Sequence, residues 1–156
     1  MTEQKKTLLA TPAIQGWFTF DPEAGPQGAP PALLGTRCAR CGTWFFPKEK
    51  TMCRNPGCGG TELEERPLSR TGTLWSYTNA GYPPPEPFIP AKLPFEPFAI
   101  AAVELAAERI TVLGMVPAGI PTSALKIGAT MELVLDTLYE DAERRYLTWK
   151  WKPVSA

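Results

Sequence analysis

Four cysteines fall within 21 residues, as Cys38-Ala-Arg-Cys41 and Cys53-Arg-Asn-Pro-Gly-Cys58, with eleven residues between the pairs. Two short turns that each present a pair of thiolates supply the tetrahedral sulfur set that structural zinc prefers. Gly42 follows the first pair, Pro56-Gly57 precede the last cysteine and Gly59-Gly60 follow it. Glycine at such places lets the backbone bend tightly around a metal and aim amides at the sulfurs. Two disulfides or a mononuclear iron are the other uses of four such cysteines. Disulfides belong to secreted chains. Here only Leu8, Leu9 and Ala10 follow Lys5-Lys6 before Thr11-Pro12, too short an apolar stretch for a signal peptide. The expectation is zinc held by Cys38, Cys41, Cys53 and Cys58 in a cytoplasmic protein. Four protein ligands leave no open coordination position, so the metal would be structural, with no thiol left to act as a nucleophile.

The surroundings of the cysteines are basic. Arg37, Arg40, Lys48, Lys50 and Arg54 are opposed by Glu49 alone, and five bases against one acid leave residues 37–58 at +4. A zinc tetrathiolate carries about −2, so roughly +2 remains. Two readings stay open. The bases offset the cluster's own charge, or they form a modest anion site for a phosphate-bearing ligand or an acidic partner face.

Composition narrows the chemistry further. The 156 residues are 44% hydrophobic, 10% aromatic and 21% charged, the profile of a globular chain. There is no histidine, which excludes a Ser-His-Asp triad, a Cys-His pair, an imidazole base and any histidine metal ligand. The formal net charge is zero, which opposes a general nucleic-acid or anionic-membrane binder. The most apolar run, Phe98 to Ala107, contains Glu104 and is far shorter than a membrane span.

These groups need elements to hold them. Residues 1–32 read as a loop or extended arm, with a short helix before Gly16 as an option; Trp17, Phe18 and Phe20 must pack on this chain or on a partner. Residues 33–66 form the metal module, with short ribbon strands at Leu33-Leu34 and Trp44-Phe45-Phe46. Residues 67–156 change to a period of two. Strands are predicted over Gly72–Asn79, Phe98–Leu105, Arg109–Val116, Thr130–Thr137 and Tyr146–Lys152, with a helical turn over Thr122–Ile127. Five strands with a short helical element between the third and fourth follow the order of an OB-fold barrel. The fold class is mostly β: an N-terminal zinc ribbon, then a five-stranded OB barrel.

One connection is unusual. Tyr82 to Phe98 holds seven of the 18 prolines, interleaved with Tyr82, Phe88, Phe95 and Phe98. A stiff segment that carries aromatics suits binding, because proline lowers the entropy lost on docking. Packing across the chain's own barrel end is the alternative.

The ordered words Leu34-Gly35-Thr36-Arg37-Cys38-Ala39-Arg40-Cys41-Gly42, Phe46-Pro47-Lys48, Gly72-Thr73-Leu74-Trp75-Ser76-Tyr77-Thr78, Pro97-Phe98-Ala99-Ile100, Val103-Glu104-Leu105 and Leu125-Lys126-Ile127-Gly128 resemble the DUF35 family over about residues 33–152. That family joins a rubredoxin-like zinc ribbon to an OB fold and is associated with acyl-CoA enzymes. The four-residue spacing of the last cysteine pair, the long proline-rich arm and the long proline segment depart from its usual pattern. Within the family, the arm, Phe46-Pro47-Lys48 and the last cysteine pair are similar to the small subunits of benzoylsuccinyl-CoA thiolases; related subunits serve thiolase-like aldolases of steroid side-chain degradation. The resemblance implies a non-catalytic subunit that braces a thiolase-fold catalytic partner and helps shape the acyl-CoA entrance. In that reading the five bases would meet CoA phosphates, and Tyr82, Phe88, Phe95 and Phe98 would meet the partner. A stand-alone acyl-CoA binding protein and a single-stranded nucleic-acid module are the alternatives.

Overall fold

Alternation decides the C-terminal two thirds. In a strand successive side chains point to opposite faces, so one register buries an entire apolar set. The computed structural model describes residues 8–20, 30–86, 89–90 and 94–154. Its barrel strands are β5 (Thr71–Ala80), β6 (Phe98–Leu105), β7 (Ile110–Met115), β8 (Thr130–Glu140) and β9 (Arg144–Pro153). β5 pairs antiparallel with β6, β6 with β7, and β8 with both β5 and β9. A parallel pairing of Met115 with Lys150 joins β7 to β9 and closes the ring. This is the five-stranded OB barrel. Among the described residues no helix is long and apolar enough to cross a membrane.

The barrel fills with one apolar set. Leu74, Ala101, Val103, Leu105, Met131, Leu133 and Trp151 are fully buried. Burying each large aliphatic side chain contributes about 1.5–3 kcal/mol. Trp151 fits because Gly114 on β7 leaves room: a Cβ there would stand 2.6 Å from the Trp151 ring and 3.1 Å from that of Trp149. A bulge between Leu74 and Ser76 makes Trp75 the extra residue of β5 and turns it outward, 64% exposed.

The predicted strands recur with shifted ends, and the shifts have causes. β7 starts at Ile110 because Arg109 takes a left-handed backbone, φ 59°, to close the turn from β6. The expected helical turn shrinks to a 3-10 turn over Thr122–Ala124, after which Leu125 returns to extended backbone and is buried. Among its described residues the arm forms no helix before Gly16. Leu9–Pro12 is instead a strand, β1, parallel to the start of β9. β7 reaches β9 only at Lys150, so the edge over Arg144–Leu147 has unmade backbone bonds, and β1 fills them.

The ribbon is a three-stranded sheet in the order β3 (Trp44–Phe45), β2 (Leu34–Cys38), β4 (Leu63–Pro67). β4 carries Glu64, Glu65 and Arg66 and shows no apolar alternation; it is a strand because its backbone pairs with all of β2. The ribbon is not a separate bead. Leu33 and Leu68 enter the barrel's core, and Phe18 bridges to Leu33. Arg70 ties the junction by donating from Nε to the Pro31 carbonyl (2.7 Å) and from a terminal nitrogen to that of Leu133 (3.2 Å). Trp17 of the arm stacks on Trp149 of the barrel at 5.8 Å, and Phe46 of the ribbon meets each of them edge-on at 5.6 Å.

Candidate functional site: a four-cysteine metal centre

The first cysteine pair sits where β2 ends and turns toward β3. Gly42, at φ 80°, donates its amide to the Cys38 carbonyl at 2.9 Å and so makes the tight turn that brings Cys41 beside Cys38. The second pair spans a turn in which the Cys58 amide bonds the Asn55 carbonyl at 2.9 Å. Asn55 Oδ1 also accepts from the Gly57 amide at 3.1 Å. The four Sγ atoms lie within 4.8 Å of one another, with Cys38 to Cys58 at 3.8 Å and Cys41 to Cys53 at 3.6 Å. A regular tetrahedron of thiolates about 2.3 Å from a zinc ion has edges of about 3.8 Å, so the donor set fits that metal. Gly60 completes the cradle. Its amide donates to Cys58 Sγ at 3.4 Å, and a Cβ in its place would stand 3.3–3.4 Å from the sulfurs of Cys58 and Cys38.

The four thiols differ. Hydrogen bonds from the Thr43 side chain and backbone lower the Cys41 thiol to about 6, while burial pushes Cys53 up to about 12. Cys38 is lowered by the backbone amide of Cys41, and Cys58 is raised, with burial the main upward cause. Metal binding would need all four as thiolates, and a bound cation would supply the charge that ionises Cys53 in its buried position.

The five bases have different neighbours. Lys48 pairs with Glu65 of β4, and Arg54 pairs with Glu49. Arg37 lines a groove with Trp44, Glu108 and Arg109, whereas Arg40 lines a different depression beside Gly59, Gly60 and Glu62. Lys50 is exposed. The proline segment divides likewise. Tyr82 is 78% exposed, and Phe88 lies outside the described residues. Phe95 and Phe98 meet edge-on at 6.0 Å and line a cavity at the barrel's end.

Sequence reasoning missed two charged groups that the fold buries. Glu108 accepts at Oε1 from the backbone and hydroxyl of Ser69, both at 2.7 Å, and so ties the β6–β7 turn to the ribbon–barrel linker. Lys150 lies among residues whose alternation marks them as outward-facing, yet it is 6% exposed. Neither carries a sequence signal, since each is buried by loops rather than by its own strand.

A four-thiolate ribbon set on an OB barrel defines a recognisable class, and the chain belongs to it: it is a member of the DUF35 family. The rubredoxin-like zinc ribbon domain of ChsH2 matches residues 27–64, and the C-terminal OB-fold domain of ChsH2 matches residues 65–136. A DUF35 domain-containing scaffold protein of Methanocaldococcus jannaschii is 31% identical over 129 residues, 78% of this chain and 82% of that protein. The benzoylsuccinyl-CoA thiolase subunit BbsA of Thauera aromatica is 40% identical over 81 residues, 51% of this chain and 54% of that subunit. The subunit of that name from Geobacter metallireducens is 38% identical over 77 residues, 49% and 50% of the two chains. The match thus spans about half the length of these two thiolase subunits. Among solved structures, the Ltp2-ChsH2(DUF35) aldolase superposes with a TM-score of 0.58 at 27% identity, over 78% of this chain and 84% of that one.

Proposed function

We propose that the chain is a non-catalytic zinc-bearing subunit that assembles, in the cytoplasm, with a thiolase-fold enzyme acting on acyl-CoA thioesters. The partner would carry out thiolysis or retro-aldol carbon–carbon cleavage, and this subunit would brace it and help form the CoA entrance. One observation carries the reading: all four thiols converge on one closed metal site in a chain without histidine. Thiolysis needs an activated cysteine and a base, and each must come from a partner. Relatives that are thiolase or aldolase components support the choice of partner.

The test is reconstitution. The purified chain should turn over no acyl-CoA, and co-expression with a thiolase-fold subunit should yield a complex that does. Turnover by the chain alone, or full activity of the large subunit without it, overturns the proposal. Of the bases near the four cysteines, Arg37, Arg40 and Lys50 have no ion pair among the described side chains, and Arg40 and Lys50 are the two tested together against CoA phosphates. Arg40→Ala with Lys50→Ala should raise KM for the thioester more at low salt than at high, with the complex intact. For the partner contact, Tyr82→Ala should weaken assembly with little salt dependence, as loss of an aromatic anchor does.

A further inference from the structure

At the barrel's end, between the proline segment and the loop 117–122, lies a cavity of about 190 Å³. Phe95, Phe98, Met115, Val116, Ile120 and Leu138 supply apolar wall. Into this wall the fold brings Lys150, at the point where β9 closes the barrel against Met115. A methionine would fill that volume without the cost of taking an ammonium out of water, so the charge asks for a purpose.

Lys150 Nζ donates to Asp136 Oδ2 at 3.2 Å. The Asp136 side chain is 43% exposed, so the acid stands toward solvent while its base stands inside. An ammonium has three N–H donors, and among the described residues Asp136 accounts for one. Asp136 already balances the charge, and Glu96 also lines the cavity. With the charge of Lys150 already balanced, an anion entering here would lose its hydration for little gain, whereas a neutral carbonyl oxygen costs far less to desolvate and still finds a donor.

We propose that this cavity binds a small apolar group ending in a neutral carbonyl, an amide or a thioester, with Lys150 donating to that oxygen. The size agrees: an apolar cavity of about 150 Å³ is enough to hold benzene, so one ring or a branched alkyl group of similar bulk fits here with its carbonyl. The proposal does not rest on the thiolase-subunit reading, because the described lining residues all belong to this chain.

The zinc-loaded full chain is titrated with 3-phenylpropionamide and with 3-phenylpropionate, following backbone amides by NMR. The amide should bind, shifting Met115, Val116 and Ile120, and should bind at least about fivefold tighter than the carboxylate. Lys150→Met should weaken the amide about tenfold, the loss expected for a hydrogen bond to a charged donor. Ile120→Trp, which fills the cavity from its rim, should abolish binding in a chain whose spectrum otherwise stays folded. Asp136→Asn removes the balancing charge and should reverse the preference toward the carboxylate, which a purely structural lysine would not do. A titration with 3-phenylpropionyl-CoA separates the sources: binding there that Lys150→Met also weakens assigns the site to a thioester, and binding of the amide alone assigns it to amides. Absence of amide binding, equal affinity for amide and carboxylate, or undiminished amide binding by a folded Lys150→Met chain overturns the proposal.

Discussion

Gly114 is the residue on which the barrel's interior turns. A methyl group there would meet the Trp151 ring at 2.6 Å, and Trp151 is fully buried with nowhere to move. Gly114→Ala should therefore cost roughly 1–3 kcal/mol. At about 2–4 °C per kcal/mol for a chain of this size, that is a clear fall in melting temperature by calorimetry. At the metal, Cys41→Ser removes the thiol that Thr43 holds lowest, at about 6. Elemental analysis should fall from about one zinc per chain to well under half. Zinc affinity should also fall as pH falls, because protons compete for the thiolates, and most steeply below about 6, where Cys41 as well as the other thiols carries a proton that binding must release. The four-cysteine cluster was legible in the sequence, because metal chemistry fixes residue type and spacing together. Lys150 and Glu108 were not. Their burial comes from loops distant in sequence, and a strand's alternation says nothing of what covers its outer face.

Among the elements, the β8–β9 hairpin is held at its tip by one side chain. Asp141 accepts from the amides of Glu143 (2.8 Å) and Arg144 (2.7 Å) and from the Tyr146 hydroxyl (2.8 Å). These bonds, the amides first, hold its carboxyl below the usual aspartate range. A depressed folded value means that the stabilisation is present above the unfolded value and is lost as pH falls through the folded one. The amides of Glu143 and Arg144 should exchange hydrogen faster in Asp141→Asn. In the native chain their protection should decline only at pH below the ordinary aspartate range. The five barrel strands could be read from alternation, since each buries one face in one core. β4 could not, because its charged residues leave only backbone pairing to define it. Nor could β1, which answers an edge left open by a strand more than a hundred residues away.

For the molecule as a whole, ribbon and barrel share a core. Leu33 and Leu68 lie inside it, and Trp44 and Phe46 pack against it. Removing zinc should therefore do more than unravel a peripheral loop. A chelator should lower the midpoint of one cooperative thermal transition, read alike by far-ultraviolet circular dichroism and by tryptophan emission. A barrel that melts unchanged after the metal is gone would show the shared core to be energetically minor. The order of ribbon then barrel was visible in the sequence because each part has its own signature, four spaced cysteines for one and a period of two for the other. Their mutual placement was not, since it rests on tertiary contacts among Trp17, Phe46 and Trp149 that no local pattern encodes.

Those three rings have an optical consequence. Trp17 and Trp149 lie 5.8 Å apart with their planes 21° from parallel, close enough for their electronic transitions to couple. One indole belongs to the arm and the other to the barrel, and the ribbon's Phe46 closes against both. The chain thus carries an intrinsic exciton pair across the seam between its parts, giving a paired far-ultraviolet dichroism signal from the strong indole transition without any added label. That paired signal should vanish in Trp17→Phe, while the other tryptophans keep their own signals. It should also change whenever a bound partner shifts the arm against the barrel.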